Sequence, residues 1–125
     1  MKLDPDCVRS ILFSVEKNAT MNHFVSATDF EKDNIFNKFD PNKVAYHVRY
    51  AEQANLIYDV DWYMSGYDIK DLTPSGHDFL NDIRTEENWH KTKEVAQKVG
   101  TFSLDALKSI ASGVTTAAIN RYLGQ

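Results

Sequence analysis

The stretch Asp40-Pro-Asn-Lys-Val-Ala-Tyr-His-Val-Arg-Tyr-Ala-Glu-Gln-Ala-Asn-Leu-Ile57 decides how the chain folds. It opens with a side-chain acceptor followed by proline at the first helical position, where a missing N–H costs nothing. A helix is expected from there to about Asn55. At about 100° per residue, Val44, Val48, Ala51 and Asn55 fall on one narrow stripe. Asn42, Tyr46, Arg49, Tyr50 and Gln53 lie opposite, with Lys43 beside them. One side of this helix must pack, which leaves the other to face a partner.

Upstream, Asp4-Pro5 repeats the cap-and-proline device, and Leu3 and Val8 have the spacing of a hydrophobic staple. Val8, Ile11, Leu12 and Val15 give that first helix an apolar stripe ending near Lys17 and Asn18. Asn22 to Thr28 reads as an extended segment or weak strand. Thr28 is then expected to cap a second helix through Asp29, Phe30, Asp33 and Ile35, stopping before Pro41.

Downstream, Leu56 to Trp62 reads as a strand, Gly66 supplies a turn, and Ile69 to Leu72 returns as a second strand. Thr73 before Pro74 starts another helix with Phe79, Leu80 and Ile83 on its buried side. Thr85 opens the next, with Glu86 and Glu87 in the first turn, where negative charge suits the macrodipole. Trp89, Ala96 and Val99 share its apolar face, and Gly100 is a natural stop. Ser103 caps a last helix from about Leu104 to Leu123, striped by Leu104, Leu107, Ala111, Val114, Ala118 and Tyr122.

Two helices, an amphipathic helix, a strand–turn–strand and a closing helix follow the order of a winged helix-turn-helix. Three helices meet around a small core, and the hairpin covers its open edge. The expected class is mainly α with a small β-hairpin (α+β). Residues 1–84 form the winged-helix-like domain. Residues 85–125 form a C-terminal helical extension that packs on it or makes an oligomer interface.

Val44 to Ile57 resembles the recognition helix of winged bacterial regulators, and Leu72-Thr-Pro-Ser-Gly-His-Asp-Phe-Leu80 resembles their wing-to-helix junction. Nearly the whole chain is similar to a family of small bacterial and phage proteins of unknown function. The likeness rests on Met1-Lys-Leu-Asp-Pro-Asp-Cys-Val-Arg9, the Leu72 to Leu80 junction, and the tail Trp89, Lys93, Ala96 and Val99-Gly-Thr-Phe-Ser-Leu104. The resemblance implies a phage or prophage origin and transfers no catalytic residue.

Composition bounds the function. A length of 125 residues with 42% hydrophobic and 26% charged content fits a folded soluble domain. The single cysteine, Cys7, excludes an internal disulfide or a Cys-based zinc site. No apolar run approaches the roughly 20 residues of a bilayer span, and the amino terminus lacks a signal-peptide pattern. No membrane partner and a cytoplasmic location are therefore expected.

The net charge is −4, which weighs against non-specific binding to nucleic acid. Residues 1–84 hold nine Lys or Arg against fourteen Asp or Glu, whereas the remainder holds five against four. In the hairpin, Asp59, Asp61, Asp68 and Asp71 face only Lys70. Sequence-specific DNA binding would use Asn42, Lys43, Tyr46, Arg49, Tyr50 and Gln53 in the major groove, as a transcriptional regulator does. An acidic wing would be repelled by the backbone it should touch.

The competing reading is an adaptor or inhibitor that grips a basic host or phage protein through the third helix and Trp62, Tyr63 and Tyr67, aromatics rimmed by carboxylates. The plainer alternative is that Trp62 and alternate tyrosines cover the core. In the last helix Ser109, Gly113 and Ala117 form a ridge of small side chains. It suits either a homodimer or packing against the protein's own helices.

Enzymatic signals are absent from the pattern. His23, His47, His77 and His90 show no metal-binding spacing, and His77 with Ser75 and Asp78 is too local for a triad. There is no phosphate-cradling glycine loop. Cys7 lies in a first helical turn without an identifiable base, so a structural thiol is expected. No metal, cofactor or catalytic residue is assigned.

Overall fold

A computed structural model describes residues 1–124. The chain divides after His77 into two compact units.

In the first unit, α1 (Pro5–Asn18) starts where the Asp4 side chain accepts from the N–H groups of Asp6 and Cys7 at 3.0 and 3.3 Å. That satisfies two amides the helix cannot. Its stripe is buried as expected: Cys7, Val8, Ile11, Leu12 and Val15. Strand β1 (Val25–Ser26) leads into α2 (Ala27–Lys32), and a 3₁₀ turn at Ile35–Asn37 follows. The cap of α2 is Ser26, not Thr28. Its hydroxyl accepts from Thr28 N–H, while the Asp29 carboxylate reaches back to Ser26 N–H at 3.0 Å. An acid three residues after the cap makes this reciprocal pair; Thr28 has one too, Glu31, but Thr28 already lies inside the helix.

Helix α3 (Pro41–Gln53) is capped by Asp40, whose carboxylate accepts from Asn42 N–H at 3.0 Å. Val44, Val48 and Ala51 are fully buried, and so is His47. Asn55 departs from the expected stripe: it is exposed, with φ at 61°. Asparagine tolerates that left-handed conformation, which ends the helix two residues early.

The expected single hairpin is split. Strand β2 (Ile57–Tyr58) pairs antiparallel with β5 (Asp71–Leu72), and β3 (Asp61–Tyr63) pairs with β4 (Gly66–Ile69). Asp59, at φ 52°, interrupts the first run. Gly66 sits in the ladder opposite Tyr63, so Met64 and Ser65 make the loop. Strand β1 adds to the far edge of β4, pairing Val25 with Ile69 and giving the order β1-β4-β3.

Helix α4 (Pro74–Asp82) carries the chain from one unit to the next. At its start Thr73 donates its hydroxyl to Asn55 O at 2.6 Å and accepts from Gly76 N–H at 2.9 Å.

The second unit contains α5 (Glu86–Val99) and α6 (Leu104–Tyr122), which pack together. Thr85 caps α5 through Asn88 N–H, Gly100 ends it at φ 90°, and Ser103 caps α6 through Ala106 N–H. The turn between them makes the helices antiparallel neighbours. Trp89, Thr92 and Ala96 of α5 and Leu104, Leu107 and Ala111 of α6 are buried. Val99 departs from the expected buried face: at the last position of α5, beside the chain reversal, it is 68% exposed. Tyr122 is likewise exposed.

Candidate functional site

Helix α3 and the β3–β4 hairpin meet at Trp62 on the first unit. The Arg49 guanidinium stacks over the Trp62 ring at 5.1 Å, and the Trp62 indole N–H donates to Glu52 Oε1 at 3.1 Å. Residues three apart share a helix face, so Arg49 and Glu52 hold the indole between them. Tyr63 donates its hydroxyl to Asp68 Oδ1 at 3.0 Å across the ladder. That bond comes first among the causes that raise the Tyr63 phenol above its ordinary pKa.

Of the residues expected on this surface, Asn42, Arg49, Gln53, Trp62 and Tyr63 are exposed, and Tyr46 and Tyr50 are half-buried with rings 6.1 Å apart. Lys43 is on its margin and engaged elsewhere: its ammonium lies 2.6 Å from the Asp4 carboxylate. Tyr67 belongs to the core instead. It is 5% exposed, 6.0 Å from Phe30 and 5.4 Å from Trp62, and burial pushes its phenol up to about 12. Tyr67 and its cross-strand partner Trp62 point to one side of the ladder, where Phe30 covers Tyr67, while Tyr63 and Asp68 point to the other.

The charge on this surface is negative. Asp59, Asp61 and Asp68 lie along the hairpin, with Asp61 directly opposite Asp68. Lys70 approaches Asp59 only to 3.9 Å. Of the nearby cations, Arg49 covers an indole and Lys43 answers a carboxylate.

Glu52 was not among the residues expected here, and His47 was weighed only for metal or acid–base chemistry. Glu52 sits ten positions before Trp62, and only the hairpin's placement brings them together. His47 Nε2 accepts from Asp4 N–H at 2.8 Å, and its Nδ1–H donates to Lys43 O at 2.7 Å. Both nitrogens are thereby assigned, as a neutral ring with its proton on Nδ1.

The other reactive types are scattered. His23 contacts Asp29 at 3.0 Å, His90 lies 3.8 Å from Glu94, and His77 is exposed elsewhere. Among the described residues no three His, Cys, Asp or Glu side chains converge to hold a metal ion. Cys7 is fully buried. Desolvation first, then the Asp4 charge, pushes its thiol up to about 12, with Lys43 opposing. Such a thiol is not a nucleophile near neutral pH. On α6, Ser109, Gly113 and Ala117 are all exposed, so this ridge faces outward. No helix among the described residues is long and apolar enough to cross a membrane.

The fold is thus of the α+β class: six α-helices among the described residues, with small antiparallel sheets. The chain belongs to the family described as Hypothetical protein (DUF2513), which matches residues 2–103. It is also similar to an "Uncharacterized protein" of Haemophilus influenzae, at 31% identity over 119 residues. That match covers 91% of this chain and 95% of the relative. No solved structure matches it.

Proposed function

We propose that the first unit is a winged helix-turn-helix whose third helix and hairpin dock a protein. The chain on this reading is a non-enzymatic, phage-related adaptor or inhibitor acting in the cytoplasm. The scaffold reading is supported by the order α1, β1, α2, α3, β3, β4, with β1 returning to pair along β4. The phage relation rests on the family resemblance of the sequence.

One observation carries the docking reading. Exposed Trp62 is held by Glu52, exposed Tyr63 on the other face of the hairpin is bonded to Asp68 opposite Asp61, and Arg49 and Lys43 already have partners. Phosphate binding draws its affinity from cations free to displace counterions, whereas exposed aromatics each bonded to a carboxylate suit a basic protein surface.

The test titrates the full chain with lysine- and arginine-rich peptides and, separately, with random duplex DNA at low salt. Peptide binding is expected to weaken by about tenfold or more in Trp62→Ala, the loss typical of an interface anchor, and to weaken in Asp61→Asn. DNA retention that disappears in Arg49→Ala would overturn this reading in favour of a sequence-specific regulator.

A further inference from the structure

We propose that the outward face of α6 binds a second copy of this chain about a two-fold axis through Gly113. Asp105, Ser109, Gly113, Ala117 and Arg121 stand four residues apart in one row along α6, and all five are exposed. The three central side chains are small enough for another helix to approach closely. A β-carbon added at Gly113 meets nothing within 4 Å, so the chain itself makes no use of this gap. Gly113, Ala117 and Arg121 of the row themselves line a groove of about 440 Å³ between α5 and α6, with Val95, Ile110 and Val114 as its apolar part. It offers apolar cover for the flank of an incoming helix.

The charges identify the occupant. Asp105 and Arg121 lie eight residues to either side of Gly113, opposite in sign, and neither has an ion-pair partner among the described residues. A two-fold axis at Gly113 exchanges the ends of the row. Asp105 of each copy then faces Arg121 of the second copy, and Ser109 faces Ala117 of the second copy. Rows of this four-residue spacing pack against one another at a helix crossing of about 50°, with the line of contact along the rows. The long arginine side chain spans the distance to which the helices have diverged at the row ends. A uniformly acidic or uniformly basic partner satisfies one end and repels the other, whereas a second copy satisfies both and closes on itself. This inference is independent of the docking surface on the first unit.

Light scattering on the full chain tests it. The expected mass is twice 14.3 kDa, falling to 14.3 kDa in Gly113→Leu with helical circular dichroism unchanged. Asp105→Arg and Arg121→Asp each set like charges opposite one another and lose the dimer. An equimolar mixture of those two variants regains it as a heterodimer, as does a chain carrying both changes. The mixture is read separately from Gly113→Leu, so a folding defect in the leucine variant does not shield the proposal. A wild-type chain that stays monomeric up to about 1 mM, the weak limit of specific association, overturns it. So does a dimer that survives Gly113→Leu, or charge variants that fail to re-pair when mixed.

Discussion

Lys43 and Asp4 meet at 2.6 Å and join the first turn of α3 to the cap of α1. The same carboxylate receives the amides of Asp6 and Cys7, and the backbone N–H of Asp4 goes to His47. Helix capping, an ion pair and a buried imidazole are thus concentrated on one residue. The outcome also bears on function, because it removes Lys43 from the cations available to an anionic partner.

That arrangement sets an acid response. Burial alone would raise the Asp4 carboxyl, but the Lys43 hydrogen bond and charge, with the Cys7 and Asp6 amides, hold it below the ordinary range. Asp33 follows the same pattern: burial opposes, while Lys17, Ser14 and Asn18 outweigh it at 2.8, 2.6 and 2.8 Å. A carboxyl lowered on folding contributes stability above its unfolded pKa of about 3.9, and that contribution is lost as pH falls through the folded value. Urea midpoints are therefore expected to drop between about pH 5 and pH 3. The drop is shallower in Lys43→Met and in Lys17→Met, and an unchanged slope in both refutes the assignment.

Gly76 is predicted to tolerate no side chain. A β-carbon there would sit on the carbonyl oxygen of Leu56, which already accepts from Thr73 N–H at 3.0 Å. Backbone cannot step aside as a flexible side chain can, so Gly76→Ala should cost at least about 2 kcal/mol. Thermal unfolding measures it, and a loss below about 0.5 kcal/mol contradicts the close approach.

His47→Leu removes the acceptor of Asp4 N–H from a site with no solvent exposure. The expected loss is about 1–3 kcal/mol, the cost of leaving a buried donor unsatisfied. Chemical denaturation decides the point.

The indole of Trp62 is predicted to report on Arg49. In a Trp89→Phe background, which leaves Trp62 as the sole tryptophan of the chain, Arg49→Ala should shift the emission maximum and change its intensity. Stability should move by no more than about 1 kcal/mol, as for an exposed cation–π contact. Unaltered emission would show that the stacking does not persist in solution.

Cys7 should resist alkylation in the native protein. Its thiol is fully buried, and its pKa is pushed up to about 12, mainly by desolvation. At pH 8 iodoacetamide should modify it only after denaturant is added. Rapid native-state labelling contradicts this burial.

Helices were legible in the sequence because their signals are local. Asp4-Pro5, Asp40-Pro41, Thr85 and Ser103 each satisfy amides within three residues of themselves, and Gly100 takes up a left-handed conformation at its own position. The inward stripe of Val44, Val48 and Ala51 followed from periodicity alone. What depended on distant pairing was not legible. Nothing near Val25 indicates Ile69, nothing near Trp62 indicates Glu52, and Tyr67 reads as an exposed aromatic until β1 and Phe30 cover it.

The amino-acid sequence by itself determined where helices begin, which of their faces is apolar, and that the hairpin is acidic, since these depend on neighbours within a turn or on composition. Only the tertiary structure decided which charged groups remain available. Lys43 is matched to Asp4, and Arg49 to Trp62, while Asp105 and Arg121 have no ion-pair partner among the described residues. The reason is that an ion pair or a stacked cation depends on distances of a few ångströms between segments far apart in the chain, and only packing of the core sets those distances.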